Sequence, residues 1–395
     1  MIKKFFSYYK PYKKLFIIDF SCAVFAAILE LIFPVAVNKV IDQILPNGSL
    51  KTILMVSVVL FALYVLSMSL NYIVVTLGHR LGINIETDMR RELYEHYQEQ
   101  SYAYFDNTKI GELMSRITTE LFEVSELAHH GPEDIFITIM TLVGAFLLMY
   151  NTHAQLAIIT ILLIPLLAIL LSVFNKRMVQ VNQRIYSTLS SFNSGIQNAL
   201  SGIRVVKAFA NEDFEKNNFE KLIQGYRDTK IEFYQTMGLS SSFNYILMRL
   251  INLFAFLAGS FFTIRGELSM GDFVGFILLS NVFIRPIEKI NTMLEQYPKG
   301  YAGFKRFQEE LMIQPDIEDS ENAIEAPDFK GYIEYEDVSF AYEEDKEVLD
   351  KINLSIKPGE TVAFVGPSGV GKTTMVNLLP RFYEVTGGSI SIDGI

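Results

Sequence analysis

The chain has 395 residues, half of them hydrophobic, with a formal net charge of −10, a single cysteine and no tryptophan. This length exceeds that of one ordinary domain, and the hydrophobic content indicates several membrane spans followed by a soluble part. Cys22 cannot form an internal disulfide, and the acidic balance, with 14 acids against two bases between Asp316 and Asp350, gives no reason to expect a nucleic-acid partner.

Six apolar stretches are long enough, with their flanking residues, to cross a bilayer as helices. About 20 residues are needed to span roughly 30 Å of hydrocarbon. The basic N-terminus runs into the first stretch without a small-residue cleavage site, which predicts a retained span rather than a signal peptide. The predicted spans are Leu15–Val37, Thr52–Gly78, Ile135–Tyr150, Leu156–Phe174, Phe243–Ile264 and Phe273–Ile287.

Lysine and arginine residues set the predicted orientation of these spans. The N-terminal segment carries five lysines, and the long loops 79–134 and 175–242 carry five and nine basic residues. The three short loops on the other side hold only Lys39, Lys51 and Arg265. Because basic loops remain on the cytoplasmic side, we expect a multi-pass protein of the cell membrane with both its N-terminus and its acidic C-terminal segment in the cytoplasm.

Each long cytoplasmic loop predicts a pair of helical stems joined by a turn. The segment "RLGINIETDMRRELYEHYQEQSYAYF" has the apolar spacing of an amphipathic helix, and "FDNTKIGEL" predicts the turn after it. In the second loop "GIRVVKAFA" ends a helix and "NEDFEKNNF" predicts a polar break before the next one. Such stems could also serve only as the scaffold of an oligomer.

Two charged residues, Glu30 and Arg249, fall inside predicted spans. A charge there costs a few kcal/mol on insertion scales, so such a side chain normally faces the bundle interior or a water-filled cavity. The sequence leaves open whether these residues meet a substrate, pair with each other or reach toward the membrane surface.

The pattern changes to period two after the polar linker. The segments "YIEYEDVSFAY" and "VLDKINLSI" predict strands, "KPGE" predicts a turn and "TVAFVG" predicts a buried strand. The loop "GPSGVGKTT" follows, then "KTTMVNLLPRFY" as a helix and "SISIDGI" as a short strand. A glycine-rich loop between a strand and a helix is the context of a Walker A phosphate loop, or P-loop.

The spacing within this loop predicts a site for the phosphates of a nucleotide. Glycines allow successive backbone N–H groups to point into one concavity, and the N-terminus of the following helix favours the same anion. Lys372 is predicted to reach the β- and γ-phosphates and Thr373 to offer its hydroxyl to Mg²⁺. The predicted nucleotide-binding residues of the loop are Gly366, Pro367, Ser368, Gly369, Val370, Gly371, Lys372, Thr373 and Thr374.

No catalytic residue is predicted within the chain. Hydrolysis also requires a residue that positions the attacking water and a second acidic anchor for the metal. Only Glu384 and Asp393 are acidic after Thr374, and neither ends a second apolar strand.

The arrangement resembles the ABC exporter half-transporters, which fuse six spans to one ATP-binding domain and include bacterial multidrug and lipid exporters. The likeness covers essentially the whole chain and is most specific from "VSFAYEEDKEVLDKINLSI" through "GPSGVGKTT" to "SIDG". It implies that Tyr342 stacks on adenine and that two short coupling helices, around Phe105–Glu112 and Ala210–Lys216, dock on the ATP-binding domains. The coupling residues that it implies are Phe105, Asp106, Lys109, Ala210, Asn211, Glu212 and Phe214.

The fold class implied is a membrane α-helical bundle over residues 1–310, a linker over 311–330 and an incomplete α/β P-loop domain over 331–395. The implied activity is ATP- and Mg²⁺-dependent export of amphipathic, drug-like or lipid-like molecules by alternating access, together with a second half-transporter, identical or not. The family's Gln loop, LSGGQ-type signature, second acidic strand and switch histidine are not found in these 395 residues. We therefore expect the chain by itself not to turn over ATP.

Three other interpretations stay open at this stage. A truncated membrane fragment could bind nothing productively or could impair a complete partner. A peptide exporter is compatible with the same spans. A membrane receptor with an unrelated P-loop domain would leave the helical stems without an explanation.

Overall fold

The computed structural model describes residues 1–46, 50–282, 284–320, 322–342 and 346–395, with the side chains of 163–175, 284–285, 287–288, 291–292 and 294–295 excepted. The described residues form long helices followed by one small sheet. In chain order the elements are α1 (Ile2–Ser7), α2 (Lys13–Lys39), α3 (Leu50–Glu99), α4 (Tyr102–Asn107), α5 (Ile110–Ser115), α6 (Leu121–Thr152), α7 (Ala154–Ser201), α8 (Ile203–Ala208), α9 (Glu212–Ile264), α10 (Met270–Val282), α11 (Ile284–Glu310), β1 (Ile333–Ala341), β2 (Glu347–Ile356), α12 (Lys372–Leu378) and β3 (Gly387–Ile392).

The chain divides into two compact units. Unit 1 comprises Met1–Ile17, Thr76–Pro132 and Met293–Ile395. Unit 2 comprises Ile18–Val75 and Glu133–Thr292. Unit 1 therefore contains the stem ends of α3 and α6 together with residues 331–395, the predicted nucleotide-binding segment. Unit 2 contains most of the apolar helical sequence.

Four helical stretches of the described residues are long and apolar enough to cross a membrane. They are Ile2–Ile44, Leu50–Glu99, Ile110–Thr152 and Glu212–Ile264, and they contain the first, second, third and fifth predicted spans. The fourth predicted span has most of its side chains outside the described residues, and the sixth includes residue 283, which also lies outside them. The helical membrane bundle is confirmed, and the count of six spans stays a prediction.

Unit 2 has its own apolar core among α6, α7, α9 and α10. Phe276 of α10 is almost fully buried there, beside Leu156 of α7 and Ala255 of α9. Gly259 on α9 allows a close approach, because a Cβ at that position would lie 2.7 Å from the ring of Phe273. Small residues at such points let helix backbones come together where lipid gives no hydrophobic driving force.

The amphipathic stem predicted after the second span is confirmed as far as Glu99, where α3 ends; the last predicted residues, Tyr102–Phe105, belong to the separate helix α4. The stem's buried apolar residues recur every four positions and face the N-terminal segment and α11 within unit 1, as the helical period requires. The buried residues of this face are Leu81, Ile85, Met89, Leu93 and Tyr97.

A proline inside α6 leaves one backbone carbonyl without a helical hydrogen bond, and a side chain supplies the missing donor. Pro132 has no N–H, so the carbonyl of Ala128 lacks its usual helical donor. The hydroxyl of Tyr9 donates to that carbonyl at 2.5 Å from a buried position. The N-terminal segment is therefore fixed against α6 by a specific hydrogen bond.

The predicted polar break over "NEDFEKNNF" is wrong in extent. The break covers only Phe209 to Asn211, and α9 begins at Glu212. Acidic residues in the first turn interact favourably with the helix dipole, and Glu212, Asp213 and Glu215 occupy that turn. The polar character of the segment therefore marks a helix start rather than a loop.

The nucleotide-binding segment forms a three-stranded antiparallel sheet in the order β2-β1-β3. These strands match three of the predicted ones. The fourth predicted strand, "TVAFVG", is not assigned as a strand; the ladders formed by β1, β2 and β3 do not include it, and Val365 is largely exposed. The apolar composition predicts a buried strand, but these residues lie outside the described ladders and lead without regular secondary structure into the phosphate loop.

Helix α12 is shorter than predicted. It ends at Leu378, whereas the sequence pattern predicts helix through Tyr383. Pro380 explains the difference, because it has no N–H to donate to the helical ladder; Leu379 before it still has helical φ and ψ angles of −61° and −48°. Arg381 then has a left-handed φ of 59°, which turns the chain away from the helix axis.

Candidate nucleotide-binding and coupling site

The phosphate loop ends on a glycine whose geometry no other residue would adopt easily. Gly371 has φ 92° and precedes α12 directly. A Cβ there would lie 2.7 Å from Cδ2 of Leu349 and 3.3 Å from the carbonyl oxygen of Val348. Glycine is therefore needed both for the left-handed turn and for the close approach of the loop to β2.

Lys372 lies across the loop that precedes it. Its Nζ donates to the carbonyl oxygens of Gly366 at 3.0 Å and Pro367 at 2.6 Å. The ammonium is thus held over the loop, where phosphate oxygens would meet it. The exposed loop offers backbone N–H groups around that position, so the residues present fit a nucleotide polyphosphate.

The two threonines after Lys372 point in different directions. Thr373 is exposed, so its hydroxyl is accessible to a metal ion bound with the nucleotide. Thr374 is buried, and its Oγ1 lies 3.2 Å from the hydroxyl of Tyr342. Tyr342 is half exposed and therefore has a ring surface available to a base beside the phosphate loop.

The two acidic residues that follow the loop have structural partners. Glu384 forms an ion pair with Arg381 at 2.9 Å. The carboxylate of Asp393 accepts hydrogen bonds from the backbone N–H groups of Tyr332 at 2.9 Å and Gly331 at 3.1 Å. These backbone donors hold the pKa of Asp393 below its usual value. Its structural role is to join the end of β3 to the start of β1.

Helix α4, which follows the α3 stem, contacts the nucleotide-binding segment within unit 1. The ring of Tyr102 stacks on Phe382 with centroids 4.9 Å apart and an interplanar angle of 17°. The hydroxyl of Tyr383 donates to the carboxylate of Asp106. Burial, together with this bond, raises the pKa of the Tyr383 phenol.

The same tyrosine connects this contact to the predicted adenine site. The ring of Tyr383 packs edge-on against Tyr342 with centroids 5.2 Å apart. Tyr342 in turn reaches Thr374 on α12. A continuous chain of contacts therefore runs from α4 to the start of the helix that follows the phosphate loop.

Two family models match this chain. The model described as "ABC transporter transmembrane region" matches residues 16–287, and the model described as "ABC transporter" matches residues 349–395. The first match alone covers more than half of the chain.

The chain belongs to the ABC transporter family.

Its relatives share both parts of the molecule. The chain is 49% identical over its whole length to the ABC transporter ATP-binding protein YwjA of Bacillus subtilis (strain 168) and covers 69% of that protein. It is 30% identical to an ATP-dependent lipid A-core flippase of Syntrophus aciditrophicus (strain SB), of which it covers 65%. It is 27% identical to the putative multidrug export ATP-binding/permease protein YgaD of Bacillus subtilis (strain 168), of which it covers 69%. The chain thus spans about two thirds of the length of these relatives.

The predicted coupling residues of the first loop of this ABC transporter chain have different surroundings. Asp106 contacts the nucleotide-binding segment through Tyr383. Phe105 packs edge-on against Tyr104 and against the apolar cluster that contains the buried face of the α3 stem. Lys109 is exposed and lies between α4 and α5.

The second predicted coupling region is not a separate helix over Ala210–Lys216. Ala210 has a left-handed φ of 47° and Asn211 precedes the first residue of α9, so these residues form the turn itself. Glu212 pairs with Lys207 at 2.8 Å, and this bond lowers the pKa of the exposed Glu212 carboxyl. The ring of Phe214 is exposed on the first turn of α9.

Sequence reasoning missed three aromatic residues of the first contact, Tyr102, Phe382 and Tyr383. The signal was present: the aromatic pair directly follows Pro380 and Arg381, where a helix cannot continue. The sequence pattern places the pair in a continuing helix and so does not predict its contact with another element. The residues reach α4 only because the chain turns at Arg381.

Proposed function

We propose that this chain is one half of an ATP-driven exporter of amphipathic molecules. Two half-transporters would pair, bind ATP and Mg²⁺ on the cytoplasmic side and expose a substrate site alternately to the two faces of the cell membrane. The observation that carries the proposal is the contact of α4 with the nucleotide-binding segment, through Asp106 and Tyr383. It joins the α3 stem to the phosphate loop by side-chain contacts.

The proposed nucleotide site rests on three side chains. The ammonium of Lys372 would exchange its hydrogen bonds to the loop carbonyls for hydrogen bonds to the phosphate oxygens. Thr373 would offer its hydroxyl to the metal ion. Tyr342 would stack on the base while its hydroxyl stays near Thr374. The bound nucleotide would supply free energy through phosphoryl transfer. The three side chains would bind the nucleotide and orient it.

The coupling step is a movement of α4 with the nucleotide-binding segment. Stacked rings and a hydrogen bond to a carboxylate resist separation more than a bare apolar contact does. A displacement of the segment around Tyr383 would therefore be passed to α4 and to the stem of α3, from which α4 is separated only by Gln100 and Ser101.

A cavity of about 460 Å³ in unit 2 supports the substrate class. This volume lies in the range of small-molecule sites. Its walls come from α2, α3, α6 and α10 and are mainly apolar, with Phe33 and Tyr64 as aromatic surfaces and Glu30 and Glu133 as acidic side chains. An apolar cavity with acidic side chains suits an amphipathic molecule that carries a positive charge, because a nearby opposite charge favours the ionised form of a carboxyl group in such surroundings.

The substrate class can be tested by binding to the purified protein in lipid nanodiscs. We expect a fluorescent amphipathic cation to bind more tightly than its neutral analogue, and Glu30→Gln to remove most of that preference. Glu267→Gln is the matched control, since Glu267 is exposed in the turn before α10. Equal affinity for the cation and the neutral analogue would exclude the charged part of the proposal.

A further inference from the structure

Three of the five histidines of the chain meet in unit 1, away from the nucleotide site. His79 lies on α3, and His129 and His130 are consecutive on α6. The ring centroids of His79 and His129 are 4.7 Å apart, and those of His129 and His130 are 4.3 Å apart. A ring nitrogen of each lies within 4.8 Å of a ring nitrogen of the other two. The proposed exporter function makes no use of this cluster.

Glycines on α3 make this meeting possible. A Cβ at Gly78 would lie only 1.8 Å from Cε1 of His129, so any side chain there would displace the imidazole. A Cβ at Gly82, one turn further on, would lie 3.0 Å from Oγ of Ser125. The two helices therefore approach closely, and the buried ring of His129 lies directly against the backbone of α3 beside His79.

The backbone that carries His129 and His130 is held from two sides. Tyr9 donates to the carbonyl of Ala128, which has lost its helical donor to Pro132. The hydroxyl of Tyr297 donates to the carbonyl of Gly131 at 3.0 Å. Both histidines therefore sit on a segment of α6 that is fixed before any ligand arrives, as a binding site requires.

We propose that His79, His129 and His130 bind a divalent transition-metal ion, with Zn²⁺ as the reference case. Neutral imidazole is a ligand that Zn²⁺, Ni²⁺ and Cu²⁺ all accept, and three imidazoles are the protein ligands of some open tetrahedral zinc sites. A metal–nitrogen distance of about 2.1 Å places tetrahedral ligand atoms roughly 3.4 Å apart. The ring nitrogens, which lie within 4.8 Å of one another, must therefore close by up to roughly 1.4 Å, which side-chain rotation can supply at His79 and His130.

The surroundings of the cluster fit this use. His79 is exposed, so an ion can enter from that side, whereas His129 is buried and excludes water from the other. The carboxylate of Glu126, one turn earlier on α6, lies 3.8 Å from Nε2 of His130. A carboxylate there can orient the imidazole and offset the charge of the ion. A bound ion would join α3 to α6 just beyond the predicted second and third spans.

Metal binding can be measured on the protein as its gene encodes it, purified through a tag without histidines and washed with chelator. Zn²⁺ is titrated against a chromogenic competing chelator in the absence of nucleotide and substrate. We expect one ion per chain and at least tenfold weaker binding in His79→Asn, since outer-shell changes alone cost 10- to 100-fold in affinity. His96→Gln, on the same helix but bonded to Gln100, is the matched control and should bind as the wild type does.

The outcomes separate a metal site from a purely packed cluster. Failure of the wild type to compete for micromolar Zn²⁺ would overturn the proposal, as would unchanged binding in both His79→Asn and His130→Gln. His79 is exposed, so His79→Asn should retain the wild-type melting temperature without metal and lose only the rise that Zn²⁺ produces. The measurement involves no transport, so its failure and the failure of the exporter proposal can be told apart.

Discussion

The hydroxyl of Tyr383, which follows the helix after the phosphate loop, donates to the carboxylate of Asp106 on α4. The two residues are 277 positions apart in the sequence, and the ring of the same tyrosine also packs against Tyr342. One side chain thus touches both the element proposed to transmit movement and the residue proposed to hold the base.

The coupling role of this pair predicts a specific defect in Tyr383→Phe. Phenylalanine keeps the packing against Tyr342 but removes the hydrogen bond to Asp106, which at a charged acceptor is worth about 1.5–3 kcal/mol when shielded and less when exposed. In the protein as its gene encodes it, we expect transport per ATP consumed to fall several-fold while ATP affinity changes less than about threefold.

A double-mutant cycle with Asp106→Ala checks whether the two residues act together. Their effects on transport should be non-additive by about 1 kcal/mol, because both single changes remove the same bond. Additive effects would mean that the hydrogen bond does not carry the coupling.

The adenine-stacking role of Tyr342 predicts different results for two substitutions. Tyr342→Ala should weaken ATP binding by about 1–3 kcal/mol, the usual contribution of stacking a base on an aromatic ring. Tyr342→Phe keeps the ring and loses only the contact with Thr374, so its affinity should stay within about threefold of the wild type. Isothermal titration with ATP measures both, and equal losses in the two variants would assign the effect to the hydroxyl instead.

The left-handed glycine before α12 predicts a stability difference between two glycine-to-alanine changes. Gly371→Ala meets Leu349 and must hold a φ of 92°, and such strain costs about 1–3 kcal/mol. Gly111→Ala, in α5 with nothing within 4 Å of its Cβ position, should be neutral or stabilising by up to about 1 kcal/mol. Denaturant midpoints monitored by hydrogen exchange in the nucleotide-binding segment distinguish the two.

The lowered pKa of Asp393 predicts an acid-sensitive link between β3 and β1. A carboxyl whose folded pKa lies below its ordinary value of 3.8 contributes fully above that value and loses its contribution as the pH falls through the folded pKa. We expect the amides of Gly331 and Tyr332 to be protected from hydrogen exchange near neutral pH and to lose that protection only as the pH falls below 3.8 and through the lowered folded pKa.

The control for that experiment is present in the same sheet. The amide of Asp337 donates to Oδ1 of Asn353 at 3.0 Å, an acceptor that does not titrate. Its protection should therefore persist through the same pH range. In Asp393→Asn the Gly331 and Tyr332 amides should exchange faster at neutral pH and show no step, and a step that survives in this variant would point to another group.

Much of this arrangement follows from local sequence pattern. The alternation of apolar residues predicts β1 and β2, and the glycine spacing with Lys372 predicts the phosphate loop in its place before α12. The four-residue apolar period predicts the α3 stem as well. Each of these features depends on interactions within a few residues.

The remainder depends on contacts between distant segments, which period and spacing do not encode. The apolar "TVAFVG" run has strand composition, but it is not assigned as a strand and the β1–β3 ladders do not include it. Tyr383 becomes a coupling candidate only because Pro380 ends the helix and α4 lies against the turn that follows. The histidine cluster could not be predicted, because it forms only where Gly78 faces α6, and the sequence of α3 alone does not show this.

The central claim is that nucleotide bound at the phosphate loop drives movement of an amphipathic molecule across the membrane. ATP-dependent uptake of a fluorescent amphipathic cation into inside-out vesicles, with the protein as its gene encodes it, tests this most directly. The account predicts uptake that requires ATP and Mg²⁺ and that falls to background in Lys372→Ala, but not in Lys357→Ala, where the lysine is exposed in the turn after β2. Uptake that proceeds equally without ATP, or unchanged in Lys372→Ala, would contradict it.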